Sequence, residues 1–140
     1  MAEAVMFEAF SEHLAEKVHD LNADTLKSYL TNATPSAADD AVKADLAEIT
    51  AENGYTAGGD DVQNATSRTG GVTSVTGTDV TVTASTGTVG PFRYPVLYND
   101  TPTSPADPLI QYWDYGSELT LQDGESFTLN FGSSLLTVSV

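Results

Sequence analysis

Residues 89–116, VGPFRYPVLYNDTPTSPADPLIQYWDYG, decide the fold. Two aromatic-rich runs, 92–98 and 109–115, flank a segment dense in Pro, Thr, Ser and Asp, the pattern of a hairpin with a long connection. Side chains alternate along an extended chain, so Phe92, Tyr94, Val96 and Tyr98 are expected on one face and Arg93, Pro95 and Leu97 on the other. In the second run Leu109, Gln111, Trp113 and Tyr115 oppose Ile110, Tyr112 and Asp114. Large rings dominate any core they enter, which puts the hairpin mid-sheet with Phe92, Tyr94, Val96, Tyr98 and Trp113 as core. Pro95 has no N–H for a ladder, so a bulge or a free edge is expected beside it.

Around this hairpin, from Val62 onward, the composition turns to Thr, Val, Ser and Gly. Alternating segments at 62–67, 72–75, 80–84, 119–121, 127–131 and 135–140 are separated by Gly-containing turn signals, which argues for an antiparallel β-sandwich or a jelly-roll-like barrel. Phe127 and Phe131 join the expected core. The closing LLTVSV implies a paired last strand, because a free apolar edge aggregates.

The first half reads differently. Val5, Met6, Phe10, Leu14, Val18 and Leu21 recur at three- and four-residue steps, the stripe of an amphipathic helix over 2–21, with Glu8, Glu12 and Glu16 opposite. Such a helix either packs over a sheet edge or docks on a partner as an arm. Residues 22–31 open on a turn-like Asn-Ala-Asp and suit strand or helix, with Thr and Tyr content favouring strand. Residues 32–40 read as loop, and 41–51 as a short helix bearing Val42, Leu46 and Ile49, stopped by Asn53-Gly54. The expected organisation is a helix or arm over 1–21 and a single β-rich domain over 22–140: mainly β, with an N-terminal helix and one short helix.

Five Lys and Arg against twenty Asp and Glu give a formal charge of -15, with most of the acid between Glu3 and Asp61. Nucleic acid and anionic membrane surfaces both need basic patches, so neither is an expected partner. With no cysteine, no disulfide or thiol chemistry arises, in keeping with synthesis in a reducing cytoplasm. The apolar runs are too short to cross a bilayer, and Glu3 and Glu8 stand where a secretion signal carries basic residues.

Candidate chemistry is sparse. His13 and His19 are not at the i, i+4 spacing that presents two imidazoles to one metal. Asp114, Glu118, Asp123 and Glu125 are the best carboxylate set for acid–base work, yet Asp123-Gly124-Glu125 reads as a hairpin tip. Gly58-Gly59-Asp60-Asp61 lacks the frame of a calcium loop, and Asp39-Asp40 is equally bare. No nucleophile elbow, P-loop or dinucleotide fingerprint occurs. The expectation is therefore a non-enzymatic protein with no catalytic residues, cofactor or metal ligands.

Several blocks carry a resemblance. Phe7, Phe10 and Leu14 form an FxxF-x3-L opening, followed by DTLK-x2-LTNxxP at 24–35 and ADLxEI-x3-NGYTAGG at 44–59. GPFRY-x-VLYNDT at 90–101, PLI-x2-WDYG at 108–116 and DGESFTLNF at 123–131 continue it. In order and spacing these resemble a family of small virion structural proteins of tailed bacteriophages. The resemblance implies a capsid decoration, or cement, protein made in the bacterial host cytoplasm. It would bind the outer shell surface with the major capsid protein as partner, stabilise that shell, and work as a homo-oligomer, a trimer ahead of a dimer. A tail, neck or head-fibre component of the same particle is the alternative. From another class, a carbohydrate-binding module would use Tyr112, Trp113 and Tyr115 as its platform. Interface positions are expected in the N-terminal stripe, at Val5, Met6, Phe7, Phe10 and Leu14, and in the last strand, at Leu135, Val138 and Val140.

Overall fold

The computed structural model describes residues 3–140. In chain order its first elements are β1 (Val5–Met6), α1 (Ala9–Ala15), β2 (Leu26–Thr31), a 3-10 turn (Lys43–Asp45) and β3 (Asp60–Asp61). The Thr- and Val-rich part gives β4 (Ala65–Thr69), β5 (Val72–Thr76), β6 (Val80–Thr83), β7 (Val89–Phe92) and β8 (Tyr94–Asn99). Then follow β9 (Leu109–Tyr112), β10 (Leu119–Leu121), β11 (Ser126–Leu129) and β12 (Leu136–Ser139). Every strand pairing is antiparallel, and the protein is mainly β.

A five-stranded sheet of order β1-β9-β8-β2-β3 separates two cores. On one face Leu26, Leu30, Leu97 and Ile110 enter the larger core. Three smaller sheets, β10-β7, β11-β6 and β12-β5-β4, close that core from the far side, so antiparallel layers stack as in a sandwich. On the opposite face Tyr29, Val96, Tyr98 and Leu109 form a second core with Phe7 and Leu46. Here Gly59 is required: at φ +75°, an added Cβ would sit 1.7 Å from the Ser28 carbonyl oxygen.

Period-two patterning is cleanest where one face meets water. In β6 and β11, Val80, Val82, Phe127 and Leu129 point inward, while Thr81 and Thr128 pair hydroxyls outside at 2.9 Å, as do Thr83 and Ser126 at 2.7 Å. β8, by contrast, is buried along its whole length, because it runs between two neighbours and two cores.

Phe92, Tyr94, Val96 and Tyr98 do not share a face. The chain leaves one sheet and enters another at Arg93, sending Phe92 to the larger core and Val96 and Tyr98 to the second. The expected bulge is there, in the β8–β9 pairing at Leu97 and Tyr98, while Pro95 itself sits at no free edge. Opposite it, Leu30 sends its N–H to the Tyr55 hydroxyl at 3.0 Å and accepts the Ile49 N–H, so nothing on that side calls for a proline donor. On the partner strand the bulge falls between Leu109 and Gln111, where Ile110 is the extra residue and turns into the larger core while Leu109 faces the second.

The N-terminal helix is far shorter than its apolar stripe. Val5 and Met6 pair with Tyr112 and Gln111 instead, because the open edge of β9 offers backbone partners that a helix start lacks. Phe7 continues this with its N–H on the Ile110 carbonyl at 3.1 Å, and α1 ends where Lys17 turns to φ +64°. Phe10 and Leu21 lie in the larger core and Phe7 in the second, so residues 7–21 are packed into the domain and do not stand off as a separate arm; residues 1 and 2 of the expected segment lie outside the described residues. The short helix expected at 41–51 is only the 3-10 turn. Asp45 takes the N–H groups of Ala41 and Val42, and the next residues cross β2 through a Thr31–Glu48 bridge.

Candidate docking surface

An apolar seam runs between the N-terminal segment and β12. β1 is the edge of the central sheet and β12 the edge of the three-stranded one. Met6, Phe7, Phe10 and Leu14 line one wall of a cleft of about 590 Å³ whose other wall is Thr137 and Val138. Leu14 and Val138 also border a second cleft, of about 490 Å³, that runs on to Lys17, Asp20 and Leu21. Met6 and Val138 are 40% and 38% exposed, unusual for large apolar side chains so close together. Glu8 and Asp20 stand in these walls, and Glu12 on α1 and Glu16 just after it are exposed, against Lys17 as the one cation lining the two clefts.

The expected interface set divides accordingly. Val5, Met6, Val138 and Val140 are exposed and Leu14 is half-buried. Phe7, Phe10 and Leu135 are buried to 1%, 4% and 7% exposure; Phe7 and Phe10 shape the seam from within, whereas Leu135 lies outside it. The expected core residues Phe92, Tyr94, Val96, Tyr98, Trp113, Phe127 and Phe131 are all buried.

No three-ring platform exists. Trp113 is buried against Phe131 with centroids 5.6 Å apart, and Tyr112 turns to the other face, against Phe7 and Tyr94. Tyr115 alone is exposed, standing edge-on to Phe127 at the mouth of a cleft of about 680 Å³.

The acidic residues singled out above hold the fold's own turns. Arg93 grips Asp114 with two bonds of 2.8 and 3.1 Å, which keeps that carboxyl below the usual carboxylate range, and Asp114 also takes the Gly116 N–H. Glu118 accepts from the Asn32 amide, Asp123 from the Thr86 N–H and Glu125 from the Gln122 N–H. Asp39 and Asp40 cap the turn at Ser36, and Asp61 takes the Gln63 N–H. Among the described residues no group of three or more His, Cys, Asp or Glu is arranged to hold a metal ion.

Sequence reasoning missed two buried polar clusters. Glu48 accepts from the Tyr55 hydroxyl and the Gly58 N–H, both at 2.6 Å, and from Lys43 at 3.0 Å, while Lys43 lies over the Tyr29 ring. Burial, with Glu48 adding to it, pushes the Tyr55 hydroxyl well above its ordinary value. This knot ties residues 43–58 onto β2. The second cluster joins His19, buried to 6% exposure, to Asn99 at 3.1 Å, with Asn99 bonded to Asp24 at 2.8 Å. The only trace of either in the sequence is a polar residue inside an apolar stripe.

Among the described residues no helix is long and apolar enough to cross a membrane. No protein-family model, curated protein or solved structure matches the chain.

Proposed function

We propose that this protein is a capsid decoration protein of a tailed bacteriophage, seated on the outer face of the shell with the major capsid protein as its partner. The carrying observation is the apolar seam between β1, α1 and β12, an adhesive surface on a chain whose charge of -15 otherwise favours solvent. The block resemblance supports the same reading. So does the build of the domain, since a clamp needs a rigid scaffold and many modest contacts in place of a reactive centre. Function as an enzyme is not part of this proposal.

The protein works as a homo-oligomer, a trimer ahead of a dimer, because sites between capsomers lie on symmetry axes and closed rings gain avidity without runaway growth. Self-contact is assigned to exposed Val72 and Val140 at the far end of the β5–β12 pair, which leaves the seam for the shell. A tail, neck or head-fibre component is the second reading from the same particle. A glycan-binding platform is disfavoured by the burial of Trp113.

The test is electron microscopy of shells from a phage lacking the protein, incubated with purified protein. Regular density on the outer face supports decoration. Density confined to tail, neck or fibres selects the second reading, and no density on any part of the particle overturns both.

A further inference from the structure

β12 pairs with β5 on one side and lies at the sheet's edge on the other. The Val140 N–H bonds to the Gly71 carbonyl at 2.9 Å, in register with the Val138–Thr73 pair. Antiparallel geometry alternates, so Thr137 and Ser139 turn their N–H and C=O groups toward the open side. Both are exposed. At Thr137 the open edge borders the cleft whose facing walls carry Met6 and Leu14 on one side and Val138 on the other. Its rim carries Glu8 and Asp20, with Glu12 and Glu16 nearby, against Lys17.

We propose that the seam receives one extended segment of a partner protein, alternating apolar and basic residues, which adds as a strand to the free edge of β12. Main-chain bonds to Thr137 and Ser139 would hold it, its apolar side chains would fill the cleft beside Val138, and its Lys or Arg would meet the acidic rim. A second copy of this chain is a poor occupant: at a charge of -15, two acidic rims would face each other. The inference rests on the seam being a docking surface and does not depend on the virion assignment.

The test uses purified full-length protein and a fluorescein-labelled ten-residue peptide of alternating Lys and Val, read by fluorescence anisotropy. Binding is expected, weakening about tenfold as added salt brings the screening length to a few ångströms. The matching Glu-Val peptide is expected not to bind. Thr137→Pro removes an N–H that serves no ladder bond and should weaken binding at least tenfold; if that variant does not fold, Val138→Lys, which places a cation in the cleft at an exposed position, should do the same. Equal binding of the Glu-Val peptide, or undiminished binding by the folded variant, overturns the proposal. So does self-association of the protein alone that Val138→Lys abolishes, since the seam would then hold a second copy. Failure to decorate shells with peptide binding intact removes the virion reading and leaves this one.

Discussion

The Gln111 side-chain amide donates to the Leu135 carbonyl across 2.9 Å of buried space, linking the central sheet to the residue just before β12. Read along its strand, Gln111 is merely one polar residue among large apolar ones. In place, it ties the chain leading into β12 to the central sheet across the larger core.

Gln111→Leu keeps the volume but strands a buried carbonyl. The expected loss is about 1–3 kcal/mol, the cost of an unpaired buried acceptor. Amide hydrogen exchange should rise first in β12, at Leu136 and Val138. Unchanged exchange there, with stability lost elsewhere, would show that the bond does not position this strand.

Trp113→Ala should destabilise by about 3–5 kcal/mol, the range for a deleted core aromatic, since Trp113 is buried against Phe131. Urea unfolding measures it. A variant with wild-type unfolding that loses affinity for a glycan would revive the platform reading.

Tyr55→Phe removes the hydroxyl that serves the Leu30 N–H and the Glu48 carboxylate together. The Leu30 N–H is orphaned, while Glu48 keeps the Gly58 N–H and Lys43, so the expected cost is about 1–3 kcal/mol. Limited proteolysis should cut first within residues 43–58, which this knot ties down. Cleavage elsewhere at equal stability would contradict that role.

What the sequence made legible follows from how many faces each segment buries. β6 and β11 present one face to water, and their Val/Thr and Phe/Thr alternation was readable directly. β8 buries both faces, so no alternation distinguished the core holding Val96 from the one holding Leu97. The extra residue at Ile110 flips parity within a run whose spacing looked regular, and only the partner strand shows where the flip falls. At 2–21 the apolar steps were real, but Val5 and Met6 answered to the edge of β9, a partner more than a hundred residues away in sequence. The seam was half legible: its apolar residues stood out one by one, whereas the meeting of Leu14 with Val138 is a product of topology.

The N-terminal segment gives a sharp test of that tertiary capture. As a detachable arm, its removal would leave a folded domain. With Phe7 and Phe10 in two different cores, deletion of residues 2–20 should abolish cooperative unfolding, and Phe7→Ala alone should cost about 3–5 kcal/mol. A deletion variant that melts cooperatively would restore the arm.

His19 makes stability depend on pH in a definite window. Burial lowers its pKa from 6.5 to about 4, the neighbouring His13 adds to the shift, and Asp24 opposes it. Its Nδ1 lies 3.1 Å from the Asn99 amide, while its Nε2 and the Nδ1 of His13 are buried without partners. The unfolded chain takes up a proton at His19 near pH 6.5, whereas the folded protein does so only near pH 4. Between these values the unfolded state binds more protons, so stability falls as pH drops through that window and levels off below it. The loss attributable to this residue is on the order of 3 kcal/mol. Carboxylates add their own dependence below about pH 5, so the comparison belongs between pH 7 and 5. There His19→Gln should flatten the fall in urea midpoint relative to the native protein. If both proteins lose stability equally over that interval, His19 is not the group that is protonated on unfolding.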